Sequence, residues 1–357
     1  MAGWKHSTVS QRLGLRVPIV QGPFGGGLSS VALVAAVSEA GGLGSFGAHH
    51  LDGDGILRVS ADIRAQTAKP FALNLWVPFE DSDDPQLSAA EFTTHRDRLA
   101  PYFKELGADL PAQPARFMPR YAEQVEAIWQ ARPAVLSFVF GAPAPAVVDR
   151  CRELGIVTIG AATTVDEAIA LEAAGLDMLV ATGFEAGGHR VAFLQQPERG
   201  LTGLFALLPQ VRDAVRIPVI AAGGIADGRG IAAARLLGAD AVQIGTAFLA
   251  CEESGTHALH REALFSPAAR HTELTRAFSG RLARGIRNRF VEESRGQAVA
   301  PYPVQNWLTG QLKKAAQAAG RTDLGSLWCG QAAPLLKERH ATALMQQLEQ
   351  ETDALLG

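Results

Sequence analysis

The sequence predicts an α/β protein built as a (β/α)8 TIM barrel, with an insertion after the third strand and a helical C-terminal extension. Three observations lead to this fold class. Short apolar runs recur eight times, amphipathic stretches rich in alanine and leucine follow most of them, and a long helical segment follows the last run. Repeated strand–helix alternation is typical of parallel strands with right-handed crossovers. Eight such units favour a closed barrel over an open doubly wound sheet.

Each predicted strand is a short apolar run that is rich in β-branched residues or closed by a small residue. The eight predicted strands are 17–21, 43–46, 71–76, 134–140, 157–161, 178–181, 219–222 and 241–244. The predicted helices have apolar residues at helical spacing. The clearest of them are 29–40, 164–174 and 228–237 in the barrel, and 304–319 and 332–356 near the C-terminus.

Two segments are longer than a barrel needs. Residues 78–133 separate the third and fourth predicted strands and begin with an acidic, turn-forming run at 78–85. The second segment is 251–357, which follows the eighth unit. Long excursions from a compact barrel usually form lids, pocket walls or subunit interfaces. We therefore expect a barrel at 1–250, with 78–133 as an insertion, and a helical extension at 251–357 that packs on the barrel as a lid.

Composition and charge exclude several classes of protein. A formal net charge of -3 over 357 residues gives no basic footprint, which argues against nucleic acid as a partner. No apolar run approaches membrane-spanning length, and the polar N-terminus is unlike a signal peptide. The three cysteines are widely spaced and odd in number, so we expect no metal site and no disulfide framework. These features predict a cytoplasmic protein. The helices of the segment 251–357, called the tail below, are consistent with a homodimer.

A glycine-rich loop carries one histidine just beyond the sixth predicted strand. Residues 181–190 read Ala-Thr-Gly-Phe-Glu-Ala-Gly-Gly-His-Arg. In parallel α/β proteins, ligands bind beyond the carboxyl ends of the strands. The glycines let the backbone approach a ligand, and His189 is the side chain there that exchanges a proton near neutral pH. The alternative is a tight strand-to-helix turn with a solvated histidine.

Two further glycine turns follow the seventh and eighth predicted strands. The first contains Gly223 and Gly224, and the second contains Gly245 and Thr246. In a barrel, these two loops commonly hold a phosphate through backbone N–H groups and the start of a short helix. The glycines leave room, and Thr246 offers a hydroxyl donor. A phosphorylated ligand is therefore predicted, either a substrate or flavin mononucleotide (FMN); the alternative is two tight barrel turns.

Several motifs along the chain carry a resemblance to a known family. They are Gln-Gly-Pro-Phe-Gly-Gly at 21–26, Ala-Gly-Gly-Leu-Gly at 40–44, Asn74 within 72–75, and the segments 183–190, 221–224 and 243–246. In order and spacing they resemble the nitronate monooxygenases, formerly called 2-nitropropane dioxygenases, over about residues 15–255. The tail is also similar to the family, at 279–285 and at Trp-Cys-Gly-Gln, 328–331.

The resemblance implies an FMN-dependent (β/α)8 barrel. It implies that the loop after the first strand lies along the flavin ring and that the other matched residues contact the flavin or its phosphate. The residues so implied are Gly22, Pro23, Asn74, Thr182, Gly187, Gly223, Gly224, Gln243, Ile244, Gly245 and Thr246. The chain departs from the family at three positions. The family often has glutamine at Thr182, glycine at Val191 and methionine at Phe24.

The resemblance also implies an activity, the oxidation of alkyl nitronates by O2 to a carbonyl compound and nitrite, with nitroalkanes left open as substrates. His189 would be the base or would hold the anionic oxygens of the nitronate. The first rival is a flavin-dependent enoyl-acyl-carrier-protein reductase that uses NAD(P)H and shares the histidine loop. A barrel like inosine-monophosphate dehydrogenase needs a cysteine in that loop, which has none. A flavin-binding protein without turnover is the last alternative.

Other polar residues near the predicted strand ends have two interpretations. Arg281 and Arg284 either hold an anion above the flavin or form a solvated basic turn. We expect Glu185 to organise its loop through hydrogen bonds. His49 and His50 follow the second strand, and we expect them to form a surface turn; the alternative is that they reach the barrel mouth. The expected pocket-wall or core aromatic residues are Trp76 and Trp328.

Overall fold

The computed structural model describes residues 3–78 and 87–357. The predicted acidic turn therefore lies, apart from Pro78, outside the described residues. The strands of the described residues are β1 (Ile19–Gln21), β2 (Gly44–Gly47), β3 (Phe71–Trp76), β4 (Val135–Val139), β5 (Val157–Ala162), β6 (Met178–Thr182), β7 (Gly188–His189), β8 (Val219–Ala222), β9 (Ala241–Ile244), β10 (Thr272–Thr275) and β11 (Ala283–Ile286).

Eight parallel strands close into a barrel. Their order is β1-β9-β8-β6-β5-β4-β3-β2, and a parallel bridge between Val20 and Leu43 joins the two ends. At this junction the Leu43 N–H donates to the carbonyl of Ile19, and the Gln21 N–H donates to the carbonyl of Leu43, both at 2.9 Å. All eight predicted strands form, and the predicted (β/α)8 barrel is confirmed.

Helices surround the barrel and fill the tail. They are α1 (Thr8–Leu13), α2 (Val31–Glu39), α3 (Gly53–Gln66), α4 (Ala89–Asp97), α5 (Ala100–Glu105), α6 (Tyr121–Ala131), α7 (Pro145–Glu153), α8 (Val165–Ala173), α9 (Leu204–Ala214), α10 (Gly228–Leu236), α11 (Thr246–Leu249), α12 (Ala258–Phe265), α13 (Arg289–Glu293), α14 (Val304–Ala318) and α15 (Ala341–Leu356). Short 3-10 turns occur at Pro197–Arg199, Pro267–Arg270 and Ala333–Leu335. None of the helices in the described ranges has the length and apolar character needed to cross a membrane.

Side-chain caps set the starts of the barrel helices. Ser30 accepts the Leu33 N–H ahead of α2, and Asp227 accepts the Gly230 N–H ahead of α10. The observed helices α2, α8, α10 and α14 are one to three residues shorter than the predicted ones, in part because a cap residue lies outside its helix.

The predicted helix at 332–356 is wrong in its first part. Residues 333–335 form a 3-10 turn that contains Pro334, and the chain is extended at Leu336. The extended backbone at Leu336 separates this short turn from the helix that follows. The true helix α15 begins at Ala341, whose N–H donates to the carboxylate of Glu253 at 3.0 and 3.1 Å.

Helix α15 lies in the ring of helices around the barrel. It packs against α10 on one side and α2 on the other. Its buried residues Leu344, Met345 and Leu348 belong to the same hydrophobic core as the outward-facing barrel residues. The tail thus returns to the barrel after passing over its carboxyl end.

A small antiparallel sheet ties the tail to the histidine loop. β11 pairs with β10 on one side and with β7 on the other, in the order β10-β11-β7. In this register His189 lies opposite Ala283, and Gly188 lies opposite Arg284. The position of His189 therefore depends on residues almost a hundred positions further along the chain.

The insertion and the tail share a second hydrophobic cluster. Phe92 of α4 and Phe103 of α5 pack with Leu308 and Leu312 of α14. This cluster fixes α14 next to the aromatic residues of the site described below, since Trp328 packs against it.

Candidate active site

The barrel register brings the predicted site residues to one end. Asn74 pairs with Ser137 in β4, and Thr182 pairs with Ala222 in β8. Gln243 in turn pairs with Ala222. Each lies at or near the carboxyl end of its strand, where barrel enzymes carry their active sites. The Asn74 amide donates to the Ser137 hydroxyl at 2.9 Å, which fixes that side chain in the barrel mouth.

The turn after β1 packs directly on the turn after β9. Gly22 donates its N–H to the carbonyl of Ile244 at 2.9 Å, and Pro23 follows it. A Cβ at Gly22 would lie 3.2 Å from the Cα of Gly245, so the close approach favours glycine. A Cβ at Gly245, by contrast, would meet no protein atom of the described residues nearer than Phe24, at 3.9 Å. Space is therefore left beside Gly245.

The turn after β8 needs glycine for its backbone conformation. Gly223 has φ +106° and Gly224 has φ +70°, a region that side chains other than glycine rarely adopt. A Cβ at Gly223 would lie 3.1 Å from the carbonyl oxygen of Gly183, at the start of the histidine loop. The two glycines therefore serve the conformation of the turn itself.

A tail segment that sequence reasoning did not place in the site crosses both loops. Gly330 donates its N–H to the Thr246 hydroxyl at 2.9 Å, and Gln331 donates to the carbonyl of Glu185 at 2.9 Å. A Cβ at Gly187 would lie 2.6 Å from the nitrogen of Gly330. Only the resemblance of 328–331 to a family motif signalled this segment, because its partners lie far away in the sequence.

The residues fit the phosphate of a mononucleotide. Thr246 accepts the Gly330 N–H and still has its own hydroxyl hydrogen to donate. The space beside Gly245 and the Gly223–Gly224 turn lie at the ends of adjacent strands, since β8 pairs with β9. Backbone N–H groups next to a hydroxyl donor form a suitable cradle for an anion.

His189 is held by a serine from the tail. Its Nε2 lies 2.8 Å from the hydroxyl of Ser279, and that hydroxyl also lies 3.1 Å from the carbonyl oxygen of Arg281. Ser279 is buried, so this contact fixes the direction of the imidazole ring. No sequence pattern indicates this pairing, although Ser279 begins a motif matched to the family.

Aromatic side chains surround the His189 ring. Its centroid lies 5.0 Å from the ring of Trp76, 5.4 Å from that of Trp328 and 6.3 Å from that of Phe140. His189 as a whole residue is partly exposed. Loss of hydration among these neighbours lowers the pKa of His189 to about 3, and the positive charge of Arg281 adds to the effect. The imidazole is therefore neutral at physiological pH.

Arg281 lies in a cage of three aromatic rings. Its guanidinium carbon is 4.1 Å from the ring centroid of Tyr302, 4.2 Å from that of Phe140 and 5.6 Å from that of Trp76. These distances are those of cation–π contacts. Burial lowers the pKa of Arg281 to about 10, which leaves it charged at neutral pH. A solvated basic turn is therefore the wrong interpretation for this residue.

Arg284 has a different role from Arg281. It is buried and donates from Nε and Nη2 to the carbonyl of Phe184 at 3.2 and 3.1 Å, and from Nη1 to the Thr272 hydroxyl at 3.1 Å. Arg284 thus fastens the histidine loop to the tail sheet. Glu185 organises the same loop, as predicted, by accepting the Leu204 N–H at the start of α9 at 2.9 Å.

His49 is not in a surface turn, so that prediction is wrong. It is buried and stacks on Trp76, with ring centroids 4.0 Å apart and an angle of 16° between the rings. A Cβ at Gly25 would collide with the His49 ring. Burial holds the pKa of His49 well below its usual range. His49 follows β2, and its ring packs on Trp76 at the end of the neighbouring strand β3. The spacing of residues along the sequence does not reveal this contact.

A groove reaches the caged arginine from the surface. Its volume is about 350 Å³, and its walls come from 192–197 and from Arg276, Arg281 and Leu282. Phe140 lies at the end shared with the aromatic cage. Arg281 therefore separates the groove from the cluster around His189.

This arrangement is that of a (β/α)8-barrel enzyme, with polar and glycine-rich loops converging at the carboxyl ends of the strands. The sequence model of the family described as nitronate monooxygenase matches residues 7–351. The chain belongs to the nitronate monooxygenase family.

Individual relatives agree with this assignment. A probable nitronate monooxygenase of Staphylococcus haemolyticus (strain JCSC1435) is 38% identical over 358 residues, which cover 99% of each chain. The crystal structure of a nitroalkane oxidase from Streptomyces ansochromogenes is 39% identical, with a TM-score of 0.88 over 98% of each chain. FabK from Thermotoga maritima is more distant, at 28% identity and a TM-score of 0.75, over 98% of this chain and 97% of its own.

Proposed function

We propose that the protein uses FMN and O2 to oxidise alkyl nitronates to a carbonyl compound and nitrite. The observation that carries the proposal is His189, a neutral imidazole at the barrel mouth that Ser279 holds at 2.8 Å and Arg281 flanks. Membership of the nitronate monooxygenase family supports the reaction class.

The phosphate of FMN would bind at the turns after β8 and β9, through Gly223, Gly224, Gly245 and Thr246. When bound, the flavin accepts electrons from the substrate and passes them to O2. The remaining residues proposed to contact it lie around the barrel mouth. They are Gly22, Pro23, Asn74, Thr182, Gly187, Gln243 and Ile244.

His189 suits an anionic substrate better than a neutral one. A general base works best when its pKa is close to the working pH, and the pKa of His189 is lowered to about 3. Removal of a carbon-bound proton from a nitroalkane would therefore be slow. A neutral imidazole can still donate an N–H to a nitronate oxygen, a charge-assisted bond. We assign His189 the role of orienting the nitronate, with nitroalkanes as poor substrates.

The aromatic walls keep water away from the reacting atoms. Trp76, Phe140 and Trp328 flank the imidazole, and His49 backs Trp76 from the other side. Low local polarity strengthens the attraction between fixed donors and an anionic substrate.

The cofactor is tested first. We expect purified protein to be yellow and to release non-covalent FMN on denaturation, identified by chromatography and fluorescence. A colourless protein that cannot be reconstituted with FMN would contradict the proposal.

The reaction is tested by oxygen uptake with three substrate sets. They are a small alkyl nitronate, its parent nitroalkane, and NADH together with an enoyl thioester. We expect rapid uptake with the nitronate and slow uptake with the nitroalkane. NADH oxidation with the thioester as the only activity would indicate an enoyl reductase instead. Bound FMN without any turnover would indicate a flavin-binding protein.

A further inference from the structure

We propose that Trp76 limits the size of the substrate that reaches His189, and that His49 holds Trp76 in place. The substrates selected in this way are nitronates of short, unbranched alkanes, with little bulk at the carbon that carries the nitrogen. The inference rests on the proposed function, because it names the class of substrate that the same site accepts.

Trp76 lies beside His189 at the mouth of the barrel. It is the last residue of β3, and its ring centroid lies 5.0 Å from that of His189, with an angle of 73° between the rings. The ring of Trp328, from the tail, lies 5.4 Å from the same imidazole. Centroid distances of about 4.5–7 Å are those of aromatic rings in contact. A substrate that binds the imidazole must therefore fit beside two indole rings.

The Trp76 ring has little freedom to move aside. The His49 ring stacks on it, with centroids 4.0 Å apart and an angle of 16°. The rings of Phe140 and Tyr302 lie 4.8 and 5.4 Å from it. Closely packed side chains resist displacement, because a shift of one ring must move its neighbours as well. A bulky substrate therefore cannot push the indole back.

His49 is itself held in place by two other segments. It is only 8% exposed, and its carbonyl accepts the Gln124 side-chain N–H at 2.8 Å. A Cβ at Gly25 would collide with Cε1 of His49, so the loop after β1 lies directly against the imidazole. We therefore treat His49 as a positioning residue, which acts on the substrate through the ring of Trp76.

The groove along 192–197 does not add room beside the imidazole. In the described part of the chain its walls include Phe140 and Arg281, but neither Trp76 nor His189. A long alkyl chain that started at the imidazole would have to pass Arg281, whose guanidinium carbon lies 5.6 Å from the Trp76 ring. The geometry thus favours a compact substrate over a long or cyclic one.

Selectivity between two nitronates tests the size limit. Oxygen uptake with ethyl nitronate and with the nitronate of nitrocyclohexane gives the ratio of the two kcat/KM values. We expect the unmodified protein to prefer ethyl nitronate about a hundred-fold, which is within the range for a pocket that excludes extra methylene groups. Trp76→Phe and His49→Ala should each lower this ratio about ten-fold, mainly by speeding oxidation of the cyclic substrate, because each makes room at the Trp76 wall.

The ratio separates a size limit from a folding defect. Loss of active protein lowers both kcat/KM values together and leaves their ratio unchanged. Trp129→Phe is the matched control, because Trp129 lies in α6 and packs against the core of outward-facing barrel residues. Its ratio should equal that of the unmodified protein.

The variants can contradict either part of the inference. An unchanged ratio in both Trp76→Phe and His49→Ala would overturn the size limit. A lower ratio in Trp76→Phe alone would refute the role of His49. If Trp76→Phe does not fold, the ratio of His49→Ala decides.

Inert carboxylates make the test independent of turnover. Propanoate and cyclohexanecarboxylate have nearly the shapes of the two nitronates, with two oxygens on one atom, and they do not react. In calorimetric titration of the flavin-loaded protein, we expect propanoate to bind at least about ten-fold more tightly, and both variants to narrow the difference. If no nitronate is oxidised, equal binding of the two carboxylates, or no binding of propanoate, would overturn the size limit.

The two proposals fail separately. Size-selective carboxylate binding without oxygen uptake on any nitronate would refute the proposed reaction and leave the size limit standing. Oxidation of both nitronates at similar kcat/KM by the unmodified protein would refute the size limit and leave the reaction standing.

Discussion

The Nε2 atom of His189 lies 2.8 Å from the hydroxyl of Ser279, which is 90 residues further along the chain. The two residues meet because β7, which contains His189, pairs with β11 of the tail. Ser279 is buried and contacts Nε2 of His189, so we treat it as a residue that positions the imidazole. The tail therefore does more than cover the barrel: it sets the direction of the side chain that we propose to hold the substrate.

Replacement of Ser279 tests this positioning role. Ser279→Ala removes the hydrogen bond and should lower kcat for a nitronate about ten-fold, the usual effect of one hydrogen bond to an active group. Ser279→Thr keeps the hydroxyl and should recover most of the activity. FMN affinity should not change in either variant. Equal losses in the alanine and threonine variants would point to a packing defect instead.

Removal of the imidazole should have a larger effect. His189→Ala should lower kcat/KM for the nitronate about a hundred-fold to a thousand-fold, the range for loss of a donor to a developing or bound oxyanion. His340→Ala is the matched control, because its side chain is 61% exposed and lies at the start of α15. Undiminished oxygen uptake by His189→Ala would exclude a role for the imidazole in turnover.

The interior of the barrel was predictable, whereas the packing of the tail was not. All eight strands were predicted, because an apolar run bounded by small residues is a local signal. The start of α15 was not predicted correctly, because the Glu253 carboxylate that accepts the Ala341 N–H there belongs to a turn far away in the sequence. His49 was misplaced for the same reason, because its partner Trp76 belongs to another strand.

The pH dependence of stability should reflect histidines that are neutral in the folded protein. Burial lowers the pKa to about 3 for His189 and to about 4 for His260, while in the unfolded chain both have ordinary values near 6.5. As the pH falls below 6.5, the unfolded chain takes up protons that the folded protein does not, so stability falls. The slope is at most about 1.4 kcal/mol per pH unit for each histidine.

Urea unfolding at pH 7.5, 6.5, 5.5 and 4.5 measures this slope. His260→Gln keeps a donor for the carbonyl of Trp328, which His260 Nε2 contacts at 3.0 Å, and removes the titration. Its stability should fall less steeply between pH 6.5 and 4.5 than that of the unmodified protein. A slope identical in the two proteins would show that His260 ionises normally in the folded state.

The phosphate cradle is tested by adding one methyl group at Gly245. A Cβ there meets no atom of the described residues nearer than Phe24, at 3.9 Å, so Gly245→Ala should fold with nearly unchanged stability. If the space beside Gly245 holds the flavin phosphate, the methyl group will crowd it, and FMN affinity should fall about ten-fold or more. Fluorescence titration of the apoprotein with FMN measures the affinity, and thermal melting of the apoprotein checks the fold.

Gly310→Ala is the matched control for Gly245→Ala. Gly310 lies within α14, and a Cβ there would meet nothing within 4 Å. Alanine is the better helix former by about 1 kcal/mol, so this variant should be slightly more stable and should bind FMN normally. Because neither methyl group clashes with protein, a selective loss of FMN binding by Gly245→Ala would place the phosphate beside that residue. Equal FMN affinity in both variants would show that the phosphate does not lie beside Gly245, which would contradict a phosphate cradle at the turn after β9.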